Sequence, residues 1–328
     1  MFSCENIVFF VAHGRIILFM IAEVFKKAFR KNKAAQQEGK MTDKYLTALG
    51  EYVISKGLNI YEIATVTEDN PPEFMRIKSP NWCNDIYSIT KVFTTTAVMM
   101  CCERGTLTVN DRVCDILADE LPEAGMDSRW HDVTVHMALK HRTGLPDGHL
   151  DVDAQDARRF TTDWLRYLFT TPLEYTPGTS EGYSDGALYL LARIVEKVAG
   201  EDINRFLWHE LFYPLKFQEV AWQKDPQGHP NGGSGMFMQA SDVAKLGAIY
   251  KNGGVYQGRR YLTRESVDTV LARGYELHVR DRESGVYGKG GMLGQNLIIL
   301  PKADRVVAYT GCGDNGAASD WIMKHQEF

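Results

Sequence analysis

YSITKVFTTTAVMMCC, residues 87–102, places one serine and one lysine ahead of a run with almost nothing polar enough to face water. Val92, Phe93, Ala97, Val98, Met99, Met100, Cys101 and Cys102 leave hardly any polar face, which predicts a helix over about 88–104, closed by Gly105 and buried on most sides. A serine at a helix start is ordinarily an N-cap whose hydroxyl accepts from an orphan backbone N–H. A lysine three residues on is ordinarily a surface residue of the first turn. On a buried helix, however, Lys91 is partly out of water, where burial disfavours the ammonium and favours the neutral amine. At i+3 that amine lies on the same side as the Ser88 hydroxyl, a nucleophile beside a base. The helix start adds N–H groups and a positive dipole end where an oxyanion would develop.

Working outward, a helix is expected at about 42–56, NIYEIATVT reads as a strand, Pro71-Pro72 as a turn, and EFMRIK as the strand's partner. Residues 106–274 read mostly helical, in VTVHMALKH, TTDWLRYLF, GALYLLARIVEKV, DINRFLWHELF, SDVAKLGAIY and TRESVDTVLA, with DPQGHPNGGSG (225–235) as a loop. From Tyr275 the period switches back to two. YELHVRD, GVYGKGGM, NLIILP and RVVAYTG read as strands, the last two a hairpin across Pro301-Lys302-Ala303-Asp304, and ASDWIMKH as a terminal helix. The expected fold is therefore α/β of the α+β kind: an antiparallel sheet built from both chain ends (about 42–87 and 275–328), flanked by helices, with a mostly helical part (about 88–274) inserted.

The bulk composition agrees with a folded enzyme or binding domain. With 328 residues, 44% hydrophobic and 24% charged, the chain can bury a real core. A net charge of -5 and no basic stripe interleaved with aromatics beyond residue 40 argue against nucleic acid, leaving a small molecule or short peptide as the expected partner. The six cysteines form no CxxC pair and read as reduced thiols. His131, His136 and His141 recur every five residues, not a one-face helical spacing, and no HExxH occurs, so neither a metal nor another cofactor is expected.

The first forty residues stand apart, with seven Lys/Arg against three Glu, leaving -9 for residues 41–328. Their apolar run from Ile7 to Ala22 is interrupted by His13, Gly14 and Arg15 and falls short of the roughly 18–20 residues of a membrane span. Three readings stay open: a start placed ahead of the true one at Met41, a membrane or interfacial helix, or a soluble extension. The first and last make the protein cytoplasmic, the second membrane-associated through residues 1–40. On each, residues 41–328 form the domain.

Two further pieces carry chemistry. Gly182-Tyr183-Ser184-Asp185 sits between the turn PGTSEG and a helix; Asp185 is ordinarily a cap and Tyr183 a packing aromatic, but the phenol is also suited to shuttle a proton. Gly288-Lys289-Gly290-Gly291-Met292 lies in a strand pattern, where three glycines weaken the strand unless something approaches its backbone closely, as an extended substrate would. Gly178-Thr179-Ser180-Glu181-Gly182 matches the G-x-S-x-G elbow, but that elbow needs an apolar strand leading into it, and TTPLEYTPG, with Pro172 and Pro177, is not one.

An S-x-x-K opening a buried helix, then Y-S-D after a turn, then K-G-G on a strand near the C-terminus, resembles the serine β-lactamase and penicillin-binding superfamily, most closely its class C β-lactamase-like branch with esterase and D-peptidase relatives. HRTGLPDG (141–148), PGTSEGYSDGALYLLARIVEKVAG (177–200), LFYPLKF, GGSGMFMQASDVAKLGAIYKNGG and GQNLIILPKADRVVAY extend the likeness over about residues 42–328. The resemblance implies Ser88 as nucleophile, Lys91 as its first base, Tyr183 as proton shuttle and Lys289 as holder of the tyrosine's charge and of a substrate carboxylate. It implies an oxyanion hole from the backbone N–H groups of Ser88 and Met292, and substrate contacts at Asp185, Gly290 and Gly291. Two positions depart from the pattern. Asp185 stands where an amide is usual, and Gly290 where a hydroxyl is usual. The implied activity is serine hydrolysis of a small ester or amide through an acyl-enzyme. The alternatives are a D-amino-acid peptidase or carboxypeptidase, a β-lactamase, or a catalytically retired binding or sensor protein.

Overall fold

The strand expected from NIYEIATVT is Ile60–Thr67 (β1), and its side chains are buried at six of eight positions, the pattern of a strand covered on both faces rather than one. The computed structural model describes residues 43–78, 82–151 and 161–326; the readings made for residues 1–40 lie outside them. Lys44–Phe328 is one compact unit. In it, β1 joins Glu73–Arg76 (β2), His278–Asp281 (β3), Val286–Gly291 (β4), Gln295–Leu300 (β5) and Arg305–Gly311 (β6) in one sheet ordered β2-β1-β6-β5-β4-β3. All neighbours are antiparallel, so both chain ends meet at the β1–β6 seam, where Ile60 faces Gly311 and Thr67 faces Arg305. The mixed fold with an antiparallel sheet and inserted helices is as the sequence implies.

The longer helices are Lys44–Ser55 (α1), Thr90–Glu103 (α2), Asp185–Ala199 (α3), Ala240–Lys251 (α4), Arg264–Arg273 (α5) and Gly316–Lys324 (α6). Side chains alternate across the sheet. Ala64, Val66, Leu297, Ile299, Val306 and Ala308 enter the main core beneath α4. On β2, Met75 meets Gly50 of α1, and Arg305 lies over the Tyr45 ring of the same helix. Buried Glu62 on β1 accepts from Arg76 Nε (3.1 Å) and from the Ser241 N–H (3.0 Å) in the first turn of α4, so a strand carboxylate serves a helix N-terminus. Burial nevertheless pushes its carboxyl up.

Between the halves, α2 and α3 pack on one another. Twelve of the fourteen α2 residues are buried, including Thr94, Thr95 and Thr96. Thr94 Oγ1 donates to Gly232 O (2.6 Å), and Thr96 Oγ1 donates to Val92 O (2.7 Å) within the helix, so these two buried hydroxyls are satisfied. Among the described residues, no helix is long and apolar enough to cross a membrane.

Candidate active site

The start of α2 differs from the simple cap that its sequence allows. Tyr87–Ile89 forms a turn of 3-10 helix ahead of Thr90–Glu103, and no side chain caps either segment. Tyr87 is left-handed (φ 47°), uncommon for a bulky residue, and its N–H is held by Asp85 Oδ1 at 2.7 Å. Asn84–Asp85 pairs with Met236–Met238, and the Ile86 N–H donates to Met236 O (2.9 Å), so a small separate sheet anchors this strained turn. Ser88 is left half-buried, with its hydroxyl accepting from Lys91 Nζ at 3.2 Å.

Lys91 is fully buried. Its ammonium also donates to Asp185 Oδ1 (2.6 Å) and Gly233 O (2.9 Å) and stands 4.8 Å from the centre of the Tyr183 ring. Here the expectation of a neutral amine needs correction. Burial does push the Lys91 ammonium down, but the Asp185 carboxylate, with Tyr183 and Glu276 behind it, more than reverses this, and the group is held above the ordinary lysine value. Asp185 is likewise committed: Oδ2 accepts from Ser234 Oγ at 2.5 Å, its N–H donates to Asp151 Oδ1 at 2.6 Å, and the residue is 3% exposed. A substrate contact expected at Asp185 thus meets a carboxylate already bound to Lys91 and Ser234.

The Y-S-D turn is held from one side by the HRTGLPDG loop. Gly182 N–H donates to His141 O (2.7 Å), Gly148 N–H donates to Tyr183 O (2.8 Å), and any side chain on Gly182 would run into Leu145 O. Ser184, not Asp185, is the N-cap of α3, accepting from the Ala187 N–H. Tyr183 is half-buried and its hydroxyl accepts from Lys289 Nζ at 3.3 Å, with that nitrogen 5.0 Å from the ring centre. Lys289 in turn is bound to Glu276 Oε2 at 2.5 Å, and Glu276 Oε1 to His141 Nε2 at 2.7 Å. Burial alone would raise the Glu276 carboxyl, but Lys289 and His141 hold it well below the usual carboxylate range.

The glycines of β4 meet the chain itself. A Cβ on Gly291 would lie 2.4 Å from Ile86 O, and one on Gly288 2.5 Å from Leu297 O. Gly291 therefore lets the end of β4 touch the Ser88 turn, which sets Met292 beside it. At Gly290 the nearest atom to a built Cβ is Arg280 Nη2 at 3.4 Å, a guanidinium where a hydroxyl would otherwise reach.

The geometry thus gathers Ser88, Lys91, Tyr183, Asp185 and Lys289 around one another. Ser180 lies in an irregular turn with no strand leading into it. His136 bonds the Tyr275 hydroxyl at 2.5 Å, apart from His141. Four participants were not assigned to this site from sequence: Gly233, Ser234 and Glu276, and His141, which was weighed only as a metal ligand. Their only signal lay in stretches quoted for resemblance or read as loop and strand, where no periodicity marks one polar residue above its neighbours.

A family model described as Beta-lactamase matches residues 80–320. The chain belongs to this family of β-lactamase-fold hydrolases. N-acetylmuramyl-L-alanine amidase of Bacillus subtilis (strain 168) is 28% identical over 150 residues, 44% of this chain and 34% of that protein. Lovastatin esterase of Penicillium rubens is 28% identical over 159 residues, 42% of this chain and 40% of that protein. The chain thus spans well under half of either relative's length. A penicillin-binding protein homologue from Caulobacter crescentus shares the fold at a TM-score of 0.66 and 16% identity, covering 82% of this chain and 91% of that one.

Proposed function

We propose that the protein is a serine hydrolase that acylates Ser88 with a small ester or amide and releases the acyl group with water. The observation that carries this reading is Lys91 Nζ, fully buried and shared between Ser88 Oγ at 3.2 Å and Asp185 Oδ1 at 2.6 Å, facing the Tyr183 ring. An ammonium so held cannot accept the serine proton. It donates to Ser88 Oγ, and the Tyr183 oxygen, which accepts from Lys289 Nζ at 3.3 Å, relays the serine proton to the leaving group. The Ser88 and Met292 N–H groups receive the oxyanion.

An ester is favoured over a penicillin, cephalosporin or D-peptide because the position that would bind a substrate amide is a carboxylate paired with Lys91, and position 290 carries no hydroxyl. The esterase and amidase names among the relatives are in keeping with this choice. The test compares wild-type, Ser88→Ala and Ser180→Ala chains on p-nitrophenyl butyrate, nitrocefin and a fluorophosphonate label. Ser88→Ala is expected to lose labelling and turnover, Ser180→Ala to keep both, and wild-type kcat/KM to be higher for the butyrate. Normal labelling of Ser88→Ala would sink the nucleophile assignment, and a preference for nitrocefin would sink the ester reading.

A further inference from the structure

Glu276 has no part in the proton path above, yet it is among the most constrained residues of the molecule. It is 1% exposed and left-handed (φ 63°), as is its partner His141 (φ 53°), and neither is a glycine. Such backbone conformations persist when the surroundings over-determine them, and they gather at functional sites. Both Glu276 oxygens are used, one by Lys289 at 2.5 Å and one by His141 at 2.7 Å. The Ser184 N–H donates to His141 Nδ1 at 3.2 Å, so the ring proton sits on Nε2 and points at Glu276. The His141 ring lies 4.5 Å from that of Tyr183.

The electrical consequence concerns Lys289. The resemblance implies that this lysine holds a substrate carboxylate, but here Glu276 Oε2 already occupies it at 2.5 Å. The buried cation beside Ser88, Lys91, is paired with Asp185. Asp151 stands behind Asp185. Of the exposed cations, Arg280 lies against Gly290 and donates to Asn296 Oδ1 at 3.4 Å.

Building on the hydrolase reading above, we propose that Glu276 is a specificity-determining residue: by masking Lys289 it makes the site select uncharged acyl groups against anionic ones, and through His141 it positions Tyr183. The site therefore takes neutral esters or amides. His141 belongs to the positioning leg alone, since it touches Tyr183 and Ser184 and leaves the Glu276–Lys289 pair intact.

Full-length wild-type, Glu276→Gln and His141→Gln chains are compared on p-nitrophenyl hexanoate and the mono-p-nitrophenyl ester of adipic acid, acyl chains of equal length that differ by a terminal carboxylate. Wild type favours the hexanoate. In Glu276→Gln the adipate-to-hexanoate ratio of kcat/KM rises by about tenfold, whatever the absolute rate, the scale on which one unmasked charge acts a few ångströms away. In His141→Gln both rates fall and the ratio stays. Should Glu276→Gln not fold, Lys289→Gln leaves Glu276 unmasked and lowers the ratio by a similar factor. A ratio in Glu276→Gln, or in its replacement Lys289→Gln, that stays at the wild-type value overturns the inference while leaving the hydrolase intact. No turnover of either ester by wild type overturns the hydrolase reading, and this one with it.

Discussion

On the proposed reading, the charge on Lys91 decides which group takes the proton from Ser88, and Asp185 at 2.6 Å holds that charge. The serine and lysine were legible together because their i, i+3 spacing is local and the apolar run behind them signals burial. The counter-ion was not: Asp185 comes 94 positions later, and no pattern in one sequence says that two such residues meet. Removing one partner of a buried pair leaves the other uncompensated, at a cost of about 3–5 kcal/mol. The Asp185→Asn chain is therefore expected to melt well below wild type at pH 7. The pH dependence follows from the sign of the shift. Wild-type Lys91, held above its ordinary value, contributes stability that is complete below pH 10.5 and lost only as pH rises through the folded value. Without Asp185, burial alone depresses the lysine, the folded state binds fewer protons than the unfolded one, and stability rises between neutral pH and 10.5. Thermal melts of both chains at pH 7 and pH 10 check this, and a deficit of equal size at both would show that Asp185 is not the counter-ion.

Elements long enough to show a period were readable, and those without one were not. β1, β2 and the four C-terminal strands lie where alternation placed them, whereas the two-residue pairs at Asn84–Asp85, Ala221–Trp222, Val255–Tyr256 and Arg259–Arg260 have no room for a pattern. The first of these helps to fix the Ser88 turn. DINRFLWHELF, read as one helix, passes from α-helix at Ile203–Leu207 into a π turn at Trp208–Phe212. A glycine inside α4 reads from sequence only as a weak point, but Gly247 has a packing reason: a Cβ there would lie 2.6 Å from Val306 Cγ1 and 2.8 Å from Leu297 Cδ1. Both neighbours belong to central strands that cannot easily move. The Gly247→Val chain is expected to lose about 1–3 kcal/mol or more, the usual penalty for overpacking, with no compensating gain in shape. Urea unfolding measures it, and an unchanged midpoint would mean that α4 is not seated as closely on the sheet.

Across the whole molecule, acid stability carries a mark of the loop that grips the site. His149 is 6% exposed, stacks on Tyr167 at 4.9 Å, and receives the Gly186 N–H on its carbonyl at 2.9 Å; burial brings its imidazole down to about 4 from 6.5. The unfolded chain binds this proton first, so stability is lost as pH falls from 6.5 through about 4, by about 3 kcal/mol for this group. The His149→Phe chain keeps the ring without the titration and is expected to show a shallower loss of melting temperature over that window. An unaltered slope in calorimetry would remove His149 from the account. The seam between β1 and β6 has a different consequence, for synthesis. Asn59 Nδ2 donates to Cys312 O across 253 positions, and every β1–β6 pair closes a loop of similar length. Contacts so distant in sequence are slow to form, because the entropy of closing the loop is spent before any pairing is gained. On the ribosome the nascent β1 and β2 emerge well before β6, and β1 keeps one edge unpaired until Arg305–Gly311 has been translated. For that interval a strand that later lies inside the sheet, second from its edge, is an open edge for any other chain to join, and a chaperone that covers it would shorten the risk rather than direct the fold.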